Sequence, residues 1–204
     1  MSSALELFGV ALLDGGDLGP QSNGVEVVSV RDLAALVTPS AYHLKEPEDR
    51  DFERHAGVLE AIAMRHPVAP APLGTVFKGR DTLVRWMELH YHALHEALTF
   101  LDGRTVARVH VVRREPKLPG TGSDLAAAAA DVFKTLRVQA SAMVSLKTEY
   151  LTGIVLSGAF LVERERLDSF TSAVAEAAQN HHELDVQLTG PWPPYDFVRL
   201  DLGG

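Results

Sequence analysis

The sequence predicts an α+β protein of two small domains, residues 1–102 and 103–204. The first reads as a reduced α+β sandwich and ends in a long amphipathic helix that joins it to the second, whose plan is ferredoxin-like. Three observations lead there. Short runs dominated by β-branched residues, such as Gly24-Val25-Glu26-Val27-Val28-Ser29-Val30, alternate with segments of helical periodicity. Leu83, Met87, Tyr91, Leu94, Leu98 and Leu101 make one stripe at three- and four-residue spacing, a helix of about 20 residues and ~30 Å. The second half then runs strand, helix, strand, helix and two strands, which suits two helices on one face of an antiparallel sheet. The first half resembles the same plan without its first helix. No internal repeat is present, so that likeness is architectural.

In chain order, Leu5–Leu13 is an apolar strand stopped by Asp14-Gly15-Gly16. The strand ending at Val30 breaks at Arg31-Asp32, and Leu33–Val37 pairs back onto it until Thr38-Pro39-Ser40. A polar loop covers Tyr42–Asp51. Phe52, Ala56, Leu59 and Ile62 mark a helix capped by Asp49 or Asp51 and ended by Pro67. His55 and His66 flank it. The proline-bearing run Val68–Pro72 fits only an edge strand. After the long helix, Asp102-Gly103 marks the boundary. Thr105–Val112 is a strand. Ser123 and Asp124 open a helix whose buried face is Leu125, Val132, Leu136 and Met143. Thr152–Glu163 is an apolar strand with bulges expected at Gly153 and Gly158. Leu167–His181 is a helix, Leu184–Leu188 a strand, and Phe197–Leu202 a terminal strand.

Composition excludes several functions. There are 27 acidic residues against 19 basic, a formal charge of −8, which opposes a nucleic-acid surface built on clustered Lys and Arg. The absence of cysteine removes disulfides, thiol catalysis and Cys-type zinc sites. No apolar run nears the roughly 20 residues that span a bilayer. Met1–Glu6 lacks the basic start of a signal peptide, so a cytoplasmic location is expected.

Chemistry-bearing patterns are weak. Gly74–Asp81 nearly spaces as a phosphate loop, but Arg80 and Asp81 stand where a lysine and a hydroxyl would be needed. Gly120-Thr121-Gly122-Ser123 precedes a helix and reads as a loop and cap rather than an anion site. Glu88, His92, His95 and Glu96 share one arc of the long helix and are legitimate metal ligands, but a solvated face is the favoured reading. Ser157 lies inside an apolar strand with no nucleophile elbow around it. No catalytic, metal or cofactor site is assigned.

The most distinctive stretch is Leu188–Val198, where Pro191, Pro193 and Pro194 alternate with Trp192, Tyr195 and Phe197. The prolines exclude helix and central strand and give a rigid, extended turn. Its two largest rings are costly to expose, so the turn folds onto the core or onto a partner.

Gly190-Pro191-Trp192-Pro193-Pro194-Tyr195-Asp196-Phe197 resembles the C-terminal signature of the gas-vesicle synthesis protein L/F family. His66–Phe77, a proline-bearing run ending in Gly74-Thr75-Val76, is similar to that family's central segment, and His55–Ala61 to the helix before it. Two positions depart: Ala56 stands where the family carries Glu, and Ala71-Pro72-Leu73 where it carries Leu-Arg-Phe. The resemblance implies two α+β domains and an accessory factor in gas-vesicle assembly, without enzymatic activity. Its implied partners are the small hydrophobic shell subunit and other vesicle accessory proteins, and its implied location is with the vesicles. The candidate contacts are Phe77, Trp192, Tyr195 and Phe197, near a groove between the domains, with core packing as the alternative. The residues alone leave a small-molecule-binding regulatory module open.

Overall fold

The computed structural model describes residues 4–13, 18, 24–41, 48–114, 122–148, 153–198 and 200. The chain divides into two units, Met1–Asp102 with Val198–Gly204, and Gly103–Phe197. Among the described residues of the tail, Val198 and Leu200 go with the first unit, where the sequence suggested the second, and Leu200 is buried in the first core.

In the first unit, β1 (Ala4–Leu12), β2 (Glu26–Val30) and β3 (Leu33–Ser40) pair antiparallel in the order β2-β3-β1. Arg31 and Asp32 form the two-residue turn between β2 and β3, with Arg31 at φ 55. The far edge of β1 is covered by two short pieces, β4 (Val68–Pro70) and β5 (Val76–Phe77). β3 runs on through Pro39, beyond the expected stop. β2 pairs with it only as far as Val37, so Pro39 lies where one side of β3 has no ladder bond to lose.

Both faces of this sheet are buried, which explains why β3 reads as a continuous apolar run. Leu7, Val10, Leu33 and Val37 pack on α2 (Arg80–Leu89) and α3 (Tyr91–Leu101), through Leu83, Met87, Leu94 and Leu98. Phe8 and Gly9 face α1 (Asp49–Ala63), where a Cβ on Gly9 would stand 2.9 Å from Leu59. Helices on two faces replace the one-sided plan expected for this half. The Asp51 carboxylate accepts the Glu48 N–H at the start of α1.

The long helix is two helices. At His90, φ −99 and ψ 9, the backbone leaves the α region between α2 and α3. The His90 backbone N–H and ring Nδ1 both reach the Trp86 carbonyl, at 3.1 and 2.9 Å. A side chain competing for a ladder carbonyl bends a helix without proline or glycine.

The second unit is β6 (Arg104–Arg113), α4 (Gly122–Arg137), β7 (Ala142–Ser145), β8 (Ile154–Glu163), α5 (Leu167–Asn180) and β9 (Leu184–Trp192). Its antiparallel sheet has the order β7-β8-β6-β9. Ala107, Val109, Phe160 and Val162 meet Val132, Phe133, Leu136, Phe170 and Val174 of the two helices. Met143 belongs to β7, not to the helix before it: α4 stops at Arg137, and the Gln139 and Ala140 N–H groups close tight turns onto Leu136 and Arg137. Gly158 marks close packing rather than a bulge, because a Cβ there would lie 2.6 Å from the Phe133 ring. The terminal strand expected from Phe197 is also absent among the described residues: Phe197 is in a turn, and Val198 and Leu200 are in no strand.

Candidate functional site

Trp192, Tyr195 and Phe197 share one segment of the second unit, while Phe77 belongs to the first. The segment starts at the end of β9, an edge strand, which is where proline is tolerated, and continues into the turn after it. Gly190 adopts φ 126, and a Cβ there would stand 2.7 Å from the Val106 carbonyl, so only glycine fits. Opposite it the β6–β9 register slips between Val106 and Arg108. The chain then turns, with the Tyr195 N–H donating to Pro193 and the Phe197 N–H to Pro194.

Polar contacts tie this turn to β6. Arg108 donates from Nε to Asp196 Oδ2 at 2.9 Å and from its terminal amino group to Oδ1 at 3.2 Å, a two-point ion pair that is half-buried. Thr105 Oγ1 donates to the Trp192 carbonyl at 3.2 Å. The Trp192 indole N–H donates to Thr189 Oγ1, also at 3.2 Å, and the Arg108 guanidinium sits 5.9 Å from the ring centre. Trp192 nevertheless keeps 39% exposure. Tyr195 and Phe197 are half-buried.

Phe77 sits differently. It is half-buried on the edge of the first sheet, 5.6 Å from the ring of Trp86, and packs on the first core. The central motif wraps that edge. Leu7 donates to the Thr75 carbonyl, Ala71 donates to Phe8, and Gly74 turns at φ 80. His55 lies within α1 rather than beside it. Its Nε2 contacts the Ala71 carbonyl at 3.0 Å, and its ring lies 5.5 Å from Phe8. Nε2 must carry the proton to donate there, and Nδ1 is buried without a hydrogen-bond partner among the described residues. Burial holds the His55 pKa below its ordinary value, against the opposing effect of that hydrogen bond.

The other candidates resolve into local structure. His95 Nε2 lies 3.2 Å from Asp32 Oδ2, and the Tyr91 hydroxyl donates to Asp32 Oδ1 at 2.8 Å. That hydrogen bond leads the causes that raise the Tyr91 pKa. The pair fastens α3 to the β2–β3 turn. Among the described residues no three His, Asp or Glu are grouped to hold a metal, and Glu88 falls on the other side of the His90 bend. The Gly74–Asp81 run is an edge strand leading into α2. Gly120 and Thr121 lie outside the described residues. No helix among the described residues is long and apolar enough to cross a membrane.

One pair escapes sequence reasoning. Ser157 Oγ lies 2.7 Å from His110 Nδ1, as cross-strand neighbours on β8 and β6. Burial, then the Arg108 charge, lowers the His110 pKa. Ser157 is only 2% exposed, so the contact fastens two strands rather than offering a nucleophile.

The family model described as gas vesicle synthesis protein GvpL/GvpF matches residues 7–125 and 121–199. The chain is 33% identical over 183 residues to gas vesicle protein F2 of Halobacterium salinarum, covering 86% of this chain and 81% of that protein. It is 29% identical over 216 residues to gas vesicle protein F of Haloferax mediterranei, covering 100% of this chain and 97% of that one. The crystal structure of gas vesicle protein GvpF from Anabaena sp. PCC7120 superposes with a TM-score of 0.80 at 18% identity, covering 98% of this chain and 100% of that one. GvpF from Microcystis aeruginosa gives 0.74 at 16% identity, with the same coverage. These structural likenesses establish the mixed α+β fold.

Proposed function

Because this chain belongs to the gas vesicle synthesis protein GvpL/GvpF family, and so has a role in gas vesicle formation, we propose that it is a non-enzymatic assembly factor that binds the small hydrophobic shell subunit. Other vesicle accessory proteins are further partners, and the place of action is the cytoplasm, at the vesicle. A subunit that builds an apolar wall aggregates unless a partner covers it first. The observation that carries the reading is Trp192, held by hydrogen bonds in the proline turn yet 39% exposed. Tryptophan at such a position is a typical anchor of protein interfaces.

Of the four candidate contacts, Trp192 is the strongest, with Tyr195 and Phe197 in the same segment. Phe77 is packed on Trp86 and contributes more to stability than to contact. The second unit is read as ferredoxin-like; its βαββαβ order and its β9-β6-β8-β7 sheet support that reading. The boundary between the two domains is placed at Asp102-Gly103.

Co-expression with the major shell subunit, followed by affinity capture and size exclusion, tests the function. A soluble co-eluting complex is expected. Failure to capture a shell subunit that is present and competent would sink the proposal.

A further inference from the structure

Exposure alone does not single out Trp192, since Met64 and Leu89 are 76% and 80% exposed. The difference lies in what holds it. The carbonyl is fixed by Thr105, the indole N–H by Thr189, and the following turn by the two-point bond from Arg108 to Asp196. Arg108 is on β6, which pairs on both sides, so the turn is pinned to the interior of the sheet.

We infer that Arg108 and Asp196 are a positioning pair that holds Trp192 ready for an apolar surface of the shell subunit. This rests on the shell-binding reading above. Two features favour an apolar occupant. Asp196 neutralises Arg108 at 2.9 Å, so the pair offers an anionic partner no uncompensated charge. The indole N–H already has its acceptor, so covering the ring with hydrocarbon strands no donor. Holding the ring in place beforehand removes the cost of ordering that side chain from binding.

The test combines capture of the co-expressed shell subunit with the fluorescence of Trp192. The chain has two tryptophans, so anisotropy is read in a Trp86→Phe background, and capture in the otherwise unaltered chain. Trp192→Ala and Asp196→Asn should each lower shell-subunit recovery about tenfold. Asp196→Asn should also lower the Trp192 anisotropy. The exchanged pair Arg108→Asp with Asp196→Arg should restore most of both signals, which a merely structural loss does not predict. Arg108→Lys keeps the charge and loses the two-point geometry. It should fall between wild type and Asp196→Asn, and it replaces Asp196→Asn if that variant melts below the assay temperature.

Loss of recovery in Trp192→Ala with wild-type recovery in Asp196→Asn overturns the positioning role and leaves shell binding standing. Loss in both without an anisotropy change or rescue also overturns it. Wild-type recovery in Trp192→Ala removes the anchor and the inference with it. No recovery by the wild-type chain removes the shell-binding reading underneath.

Discussion

The two tryptophans are built into the molecule in opposite ways. Trp86, in the first unit, is 8% exposed and wedged between Phe77 and His90, with ring centres 5.6 and 5.1 Å away. Its indole N–H is buried without a hydrogen-bond partner among the described residues. Trp192, in the second unit, has its N–H satisfied and its ring partly open. Apolar packing fastens the first, which tolerates an unmet donor costing about 1–3 kcal/mol. Polar tethers fasten the second and leave carbon surface available. An aromatic ring that has met its polar needs and not its apolar ones suits the proposed anchor, whereas the reverse arrangement suits the core.

The sharpest way to break that contrast is Trp86→Ala. Emptying a packed aromatic site costs about 3–5 kcal/mol. Chemical denaturation should show a loss of that size, reported by the first unit. A loss under 1 kcal/mol would mean that Trp86 is as dispensable to folding as its exposed counterpart.

Gly190→Ala comes next. The left-handed φ of 126 and the 2.7 Å approach to Val106 must both give way, at about 1–3 kcal/mol. The damage should concentrate at the turn, lowering Trp192 anisotropy before the whole chain melts. An unchanged denaturation midpoint and an immobile Trp192 would show that the turn does not depend on this glycine.

His55 sharpens the comparison by pH. Burial lowers the His55 pKa, and a proton on Nδ1 would find no acceptor among the described residues. Its folded pKa is therefore below the unfolded value near 6.5. As pH falls through that value the unfolded chain takes the proton first, so stability is full above it and declines below. The melting temperature of the wild-type chain should fall more between pH 7.5 and 5.5 than that of His55→Gln, whose amide keeps a donor for Ala71. Equal pH slopes would exclude His55 as a source.

How much of this was legible follows from where each signal resides. The longer strands β1, β2, β3, β6, β8 and β9 were readable because alternation and β-branching are local, and Arg31-Asp32 was readable as a break between two of them. The bend at His90 was hidden because the stripe from Leu83 to Leu101 keeps its period across it. What bends the chain is an imidazole reaching its own helix, not a proline. β7 was hidden because Met143 fits the helical period that Leu125, Val132 and Leu136 begin. The prolines and rings of 190–197 marked the candidate site, but not what holds it. Arg108 and Asp196 are 88 residues apart, and His110 and Ser157 are 47. Each pairing depends on strand register or on how the turn folds back, which composition does not encode.

The smallest stability effect should come from the proposed anchor, Trp192. In Trp192→Ala the partly exposed ring leaves no sealed cavity, and Thr189 and Arg108 are already in contact with water, which replaces the lost contacts. The Arg108–Asp196 bond does not involve the indole, and the Thr105 bond goes to the backbone carbonyl, so both survive truncation. The loss should be about 1 kcal/mol or less, against several for Trp86→Ala, while shell-subunit recovery moves in the opposite order. Loss of 3 kcal/mol or more at Trp192 would place the ring in the folding core and erase the distinction between the two tryptophans.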